Sequence, residues 1–171
     1  MFDFTRYVTL LEIFRQATPP QPPPDARLAK WAWPPLRPYN GFSGEVRVRV
    51  WQLQLGAYDA GALARPTSCA LCASGSHVVF HSENYADPWC SIPLCYGCHM
   101  SVHGRFRCPG AWGRFQARHH QRGAEQWLDL LPATPIDLAG WLTSRSGRAA
   151  VEQVPRPVVD AQFGAVSGPS S

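Results

Sequence analysis

The chain has 171 residues, 45% hydrophobic and 12% aromatic, which suits one packed domain with ragged ends. Its net charge of +4, from 16 basic and 12 acidic residues, is mildly basic and compatible with a polyanionic partner. No apolar run reaches the roughly 18 residues a membrane-crossing helix needs, and Met1-Phe-Asp-Phe-Thr-Arg6 lacks the layout of a signal peptide, so the expectation is a cytoplasmic protein with no membrane partner.

Taken in order, Phe4, Tyr7, Val8, Leu11 and Phe14 recur at helical spacing and predict an N-terminal helix within 1–17. Thr18-Pro-Pro-Gln-Pro-Pro-Pro24 cannot continue it, so 18–42 reads as a Pro/Trp-rich linker holding Trp31, Trp33, Tyr39 and Phe42. A domain over 43–145 follows. Ser43 is placed to cap a helix from about Gly44. Residues 46–55 alternate like a strand, but the phase slips at Trp51. Val46, Val50, Leu53 and Ala57 form a helical stripe with Gly61 as its stop, and helix is the reading adopted. Val78-Val-Phe80 and Ser91-Ile-Pro-Leu94 predict two short strands. Helices are expected from Cys98 to about Arg105 and from Pro109 to about Arg122. Further apolar patches lie at Trp127–Leu131 and Ile136–Thr143. Residues 146–171 have no period and read as a disordered tail.

The domain's centre is 69–103. Cys69, Cys72, Cys95 and Cys98 form two Cys-x-x-Cys pairs, each able to make a tight knuckle that places both sulfurs on one metal. They predict a structural Zn2+, with Cys98 in the first turn of a helix. Knuckle, hairpin and ligand-bearing helix in that order is a treble-clef arrangement. The fold class is then small, zinc-stabilised α+β: a treble-clef or ββα-metal core flanked by several helices. Cys90 and Cys108, left over, read as small buried apolar residues.

His99 and His103 stand four apart on the predicted helix and share a face. His81 ends the first predicted strand, and a helix stacked on that hairpin brings the three together. They are the candidate catalytic residues and the candidate ligands of a second metal, or contacts to a phosphate. Lone histidines at such places are ordinary surface or core residues. Three beside a zinc knuckle point to a working site.

The run Cys-x-x-Cys, then His81-x-x-x-Tyr85, then Leu94-Cys95-x-x-Cys98-His99-x-x-x-His103, with Pro88 between, resembles the zinc-containing HNH (His-Me finger) endonucleases of phage and bacteria. The resemblance spans 69–103, with some residues on either side. It implies phosphodiester hydrolysis with one divalent ion (Mg2+, Mn2+, Ni2+ or Zn2+), His99 and His103 serving as ligands or phosphate contacts, and His81 as the first residue of the family's paired opening. The pair's second residue, usually the general base, is Ser82 here. Serine does not take a proton from water at neutral pH. The base would then be His81 itself, helped by Glu83 or Asn84 on the metal, or His77 from the preceding turn. Failing these, the site is a catalytically inactive module.

Arg105, Arg107, Arg114, Arg118 and Arg122, with His119 and His120, follow His99 without an acidic residue before Ala124. Arginine forks match phosphate oxygens, so this flank predicts nucleic-acid contact, with DNA as the partner. Phe106, Trp112 and Phe115 are interleaved for base stacking or core packing, and Arg47 and Arg49 could extend the face. The expected function is an HNH-like metal-dependent DNA endonuclease. The alternatives are an inactive zinc module that binds nucleic acid, and one that binds a protein partner.

Overall fold

A computed structural model describes residues 2–16, 30–120 and 125–149. The proline spacer at 18–24, Arg122 and the tail beyond 149 lie outside the described residues. The chain is a small α+β protein. Among the described residues its elements are α1 (Phe4–Leu11), a 3-10 turn (Glu12–Phe14), α2 (Gly44–Asp59), β1 (Val78–His81), β2 (Ile92–Cys95), α3 (Tyr96–Gly104), α4 (Pro109–His120), α5 (Glu125–Leu130) and α6 (Leu138–Ser146).

Local chemistry sets the ends of these elements. The Asp3 carboxylate accepts from Arg6 N at 3.0 Å and caps α1. Ser43 Oγ accepts from Val46 N and caps α2 as the sequence implies. The disputed stretch is helical because Val46, Val50, Leu53 and Ala57 bury one stripe, which outweighs the alternation. Gly61 turns the chain away at φ +69°, a value L side chains rarely adopt. Gly44 is needed for a different reason: a Cβ there would meet the Leu36 carbonyl oxygen at 1.9 Å.

The sheet is one antiparallel hairpin in the register Val78↔Cys95, Val79↔Leu94, Phe80↔Pro93 and His81↔Ile92. That register places Cys95 at one end and His81 at the other. α3 begins at once after Cys95 and packs on both strands. The helix thus starts two residues earlier than expected.

Residues 1–17 and 18–42, set apart by composition, share the same core. Tyr7, Leu11, Tyr39 and Phe42 are buried with Val50, Leu94, Val102 and Trp127 in one cluster. α1 packs on α5 and α5 on α4, Phe14 meets Trp127 edge-on, and Phe4 stacks on Trp141 at 5.4 Å. Gln16 N donates to Trp89 O, so the segment after α1 is tied to the loop between the strands. The core therefore closes around the hairpin from both ends of the chain.

Candidate functional site

The four cysteines converge. One sulfur from each of Cys69, Cys72, Cys95 and Cys98 lies within 4.8 Å of the others. Cys72 Sγ and Cys95 Sγ are 3.6 Å apart. A tetrahedron with Zn–S bonds of about 2.3 Å has edges of about 3.8 Å, so the spacing suits a metal. The first knuckle is shaped by Cys69 N donating to Ser74 O and by Ala73 at φ +59°. It is joined to the hairpin by Ala70 N donating to Pro93 O at 2.8 Å. Burial raises the Cys69 thiol, but backbone N–H groups of Cys95, Cys72 and Leu71 outweigh it and bring the pKa down to about 7. Burial pushes Cys72 and Cys98 up. The backbone therefore supports one thiolate, and a cation is what would support four.

The second cluster lies at the far end of the hairpin. His81, His99 and His103 each present a ring nitrogen within 4.8 Å of the others. His99 Nε2 and His103 Nε2 are 3.0 Å apart. His81 is 1% exposed, whereas His99 and His103 are half-buried, so the site opens on the α3 side. Burial, with the neighbouring His81, lowers His99 to about 4 and His103 to about 2. Both rings are thus neutral at physiological pH, the form that binds a metal.

His81 is held by a carboxylate. Its Nε2 is 2.6 Å from Glu83 Oε1, and its buried Nδ1 has no hydrogen-bond partner among the described residues. The Glu83 carboxyl is held well below the usual range. Burial opposes ionisation, but the Arg105 guanidinium and the His81 hydrogen bond outweigh it. An ionised Glu83 only accepts, so Nε2 carries a proton, and in the neutral ring the lone pair is on Nδ1. A carboxylate fixing one ring nitrogen while the other is left free is the arrangement that orients metal-binding or basic histidines.

Glu83 is the centre of a buried network. Its Oε1 accepts from Tyr39 Oη at 2.7 Å and its Oε2 from Tyr7 Oη and Asn40 Nδ2, both at 2.7 Å. Arg105 closes a fork on both oxygens at 3.1 and 2.9 Å. Nε donates to Pro132 O, and Nη1, besides facing Glu83, lies within hydrogen-bond distance of Tyr39 Oη and Val102 O. Arg105 is fully buried. The sequence-based assignment of Arg105 to nucleic acid is therefore corrected: its charge is spent on Glu83.

The other predicted residues divide. Ser82 is buried and its Oγ pairs with Ser91 Oγ at 3.1 Å, away from any base role. Glu83 has both oxygens engaged and Asn84 Oδ1 accepts from Ala86 N, so neither is free to join the histidines. His77 is exposed at the start of β1, the opposite end from His81. Tyr85, Pro88 and Leu94 are core. Arg47 lies over the Tyr39 and Tyr85 rings, and Arg49 pairs with Glu45 at 3.1 Å. His119 is buried, with Nδ1 3.1 Å from Leu71 O, so it clamps α4 to the first knuckle rather than lying on a basic surface. His120 pairs with Asp129. Trp112 is core, whereas Phe106 and Phe115 are half-buried. Arg107, Arg114 and Arg118 are exposed. Cys90 is buried, with Sγ 3.0 Å from Leu11 O. Cys108 is exposed, contrary to expectation, because it falls in the turn between α3 and α4.

Tyr7, Tyr39 and Asn40 were missed as site residues, and Arg105 was given a different role. The available signal was the i,i+2 spacing of His81 and Glu83, which puts both on one side of extended backbone. Their partners come from remote segments and leave no local pattern. Comparisons with known protein families, with curated proteins and with solved structures find no match to this chain.

Proposed function

We propose that the chain is an HNH-like endonuclease that hydrolyses phosphodiester bonds in DNA, built on a zinc-stapled treble-clef core. The observation that carries this reading is the buried, unpartnered His81 Nδ1, in a three-histidine cluster and backed by an ionised carboxylate.

The cysteine set fits Zn2+: four sulfurs, a near-tetrahedral edge, and a helix starting between its last two ligands. The histidine set fits a second divalent ion. A pair of neutral imidazoles leaves most coordination positions open and suits Ni2+ or Zn2+ better than Mn2+ or Mg2+, which prefer oxygen ligands. Bound there, such an ion would polarise a phosphoryl oxygen and take up charge on the leaving 3′ oxygen. His99 and His103 would hold it, their depressed pKa values keeping both rings unprotonated. His81 Nδ1 would accept a proton from the attacking water as the new O–P bond forms and the P–O3′ bond breaks. The imidazolium so formed is stabilised by the Glu83 carboxylate on its other nitrogen. Burial of His81 and Glu83 keeps bulk water from competing for that proton. Ser82 then needs no catalytic role.

The test is plasmid nicking by purified protein with each of the four ions. Wild type should nick with at least one. His81→Ala should abolish nicking but retain a second ion per chain, and His99→Ala should lose both. No cleavage by wild type with any ion would overturn the nuclease reading. The buried Ser82–Ser91 pair favours one second reading, a zinc module that binds nucleic acid without cutting it. Its mark would be DNA binding with no turnover and one metal per chain.

A further inference from the structure

α3 has a second face. Ser101 lies two residues beyond His99, about 160° around the helix axis from it. Ser101 and Gly104 border a groove of about 410 Å3 between α3 and α4, lined by Arg107, Cys108, Arg114 and Arg118. The stacked Trp112 and Phe115 rings, 5.4 Å apart, line it as well. The groove thus opens from the side of α3 that carries Ser101, which is turned away from His99 around the axis.

Three arginines line an otherwise largely apolar groove. No carboxylate lines it, and Arg107, Arg114 and Arg118 make no ion pair among the described residues. Arg114 and Arg118 are one turn apart, about 6 Å along α4. Lys30 is the chain's single lysine, so every cation here is the planar fork that takes two phosphate oxygens at once.

We propose that this groove seats a stretch of phosphodiester backbone distant from the bond that is cut, so that one DNA molecule straddles α3. This deepens the nuclease reading and rests on it for the choice of nucleic acid over an acidic peptide. A remote seat of this kind supplies binding energy that positions the reacting phosphate without touching it. The bond is electrostatic, so it carries a defined salt signature. Each phosphate neutralised on duplex DNA contributes about 0.9 to the slope of log K against log salt.

Cys108 provides a reporter inside the groove. With zinc on the four ligand cysteines and Cys90 buried, Cys108 is the accessible thiol. Maleimide labelling of Cys108 in zinc-loaded wild type should slow at least fivefold on saturation with a short duplex, without added divalent ion. Polyglutamate of equal charge should not protect it. By fluorescence anisotropy of the labelled duplex, the combined R107Q, R114Q and R118Q change should flatten the salt slope by about 2.7 (three contacts at ~0.9 each) and weaken binding at least tenfold. Arg65→Gln, an exposed arginine paired with Asp59, is the control and should change neither. Far-UV circular dichroism and zinc content verify that the triple variant is folded. Unaltered labelling in the presence of duplex, or equal protection by polyglutamate, would overturn the proposal, and so would an unchanged slope in the triple variant. If wild type fails to nick while DNA protects Cys108, the nuclease reading falls and the seat stands. If it nicks while Cys108 remains unprotected, the seat falls alone.

Discussion

Glu83→Gln is the most informative single change, because it keeps the side chain's size and alters only charge and one acceptor. Oε1 receives Tyr39 Oη, His81 Nε2 and Arg105 Nη1, and Oε2 receives Tyr7 Oη, Asn40 Nδ2 and Arg105 Nη2. An amide nitrogen must replace one of these oxygens. At the Oε2 position Tyr7 Oη can turn to accept, but two of the three partners, Asn40 Nδ2 and Arg105 Nη2, cannot. Turning Asn40 over would set its oxygen against the Glu83 carbonyl that its Nδ2 now serves at 3.2 Å. At the Oε1 position, Tyr39 Oη can turn to accept and His81 Nε2 can accept as the other tautomer. The nitrogen should settle there, and His81 should carry its proton on Nδ1. That removes the lone pair the proposed chemistry uses. Losing one partner of a buried ion pair costs about 3–5 kcal/mol. Arg105 keeps Val102 O and Pro132 O as acceptors, so the lower end, about 3 kcal/mol, is expected. For a domain of this size that is a fall in Tm of roughly 6–12 °C. The assays are thermal unfolding and 15N NMR of the His81 ring. A Tm within about 2 °C of wild type, or a His81 ring still protonated at Nε2, would refute the reasoning.

Other consequences are open to measurement. His99 and His103 have folded-state pKa values below the unfolded value of about 6.5. The unfolded chain therefore binds more protons as acid is added. Stability present above pH ~6.5 should fall as the pH drops, by up to about 1.4 kcal/mol per unit for each histidine. Denaturant titrations of the zinc-loaded chain at pH 7, 6 and 5, without a second ion, check the slope. Cys98→Ser should remove the stoichiometric zinc and most of the cooperative thermal transition, by metal analysis and calorimetry, because metal affinity at such a site is folding energy. His119→Ala unties α4 from the first knuckle, strands the buried Leu71 carbonyl and opens a cavity. A loss of about 2–3 kcal/mol is expected in urea unfolding, with zinc content retained. A peptide covering 65–108 keeps every cysteine and histidine of both clusters but lacks Tyr7, Tyr39 and Asn40. It should bind Co2+ at the cysteines with a tetrahedral thiolate spectrum and show no second site.

What could be read from the sequence was what the chain encodes locally. The two Cys-x-x-Cys knuckles, the paired strands and the His99/His103 face are each set by residues within one or two turns of one another, and the structure places them as expected. The α2 stripe was legible for the same reason, once Trp51 had broken the alternation. Arg105 was misread because its type and neighbours are those of a surface cation. Only a carboxylate 22 residues earlier in the chain, brought close where α3 packs on the hairpin, turns it inward. His119 was misread likewise, its partner being a carbonyl in the first knuckle 48 residues away.

The same contrast separates the two clusters physically. A metal can organise four cysteines held in tight knuckles, because binding supplies the free energy that orders them. His81 has a local partner, Glu83, two residues away on its Nε2, but that carboxylate would not remain ionised when fully buried without Arg105 and the hydroxyl and amide donors around it, which are remote. Those donors come from α1, from the segment before α2, and from the end of α3. The N-terminal helix and the Trp/Pro-rich segment are thus structural parts of the histidine site. Tyr7 and Tyr39 hold Glu83, Glu83 sets the His81 tautomer, and the tautomer decides whether a lone pair is presented beside His99 and His103. The local motif encodes the cysteine cluster, and the long-range network encodes the geometry on which the proposed chemistry depends.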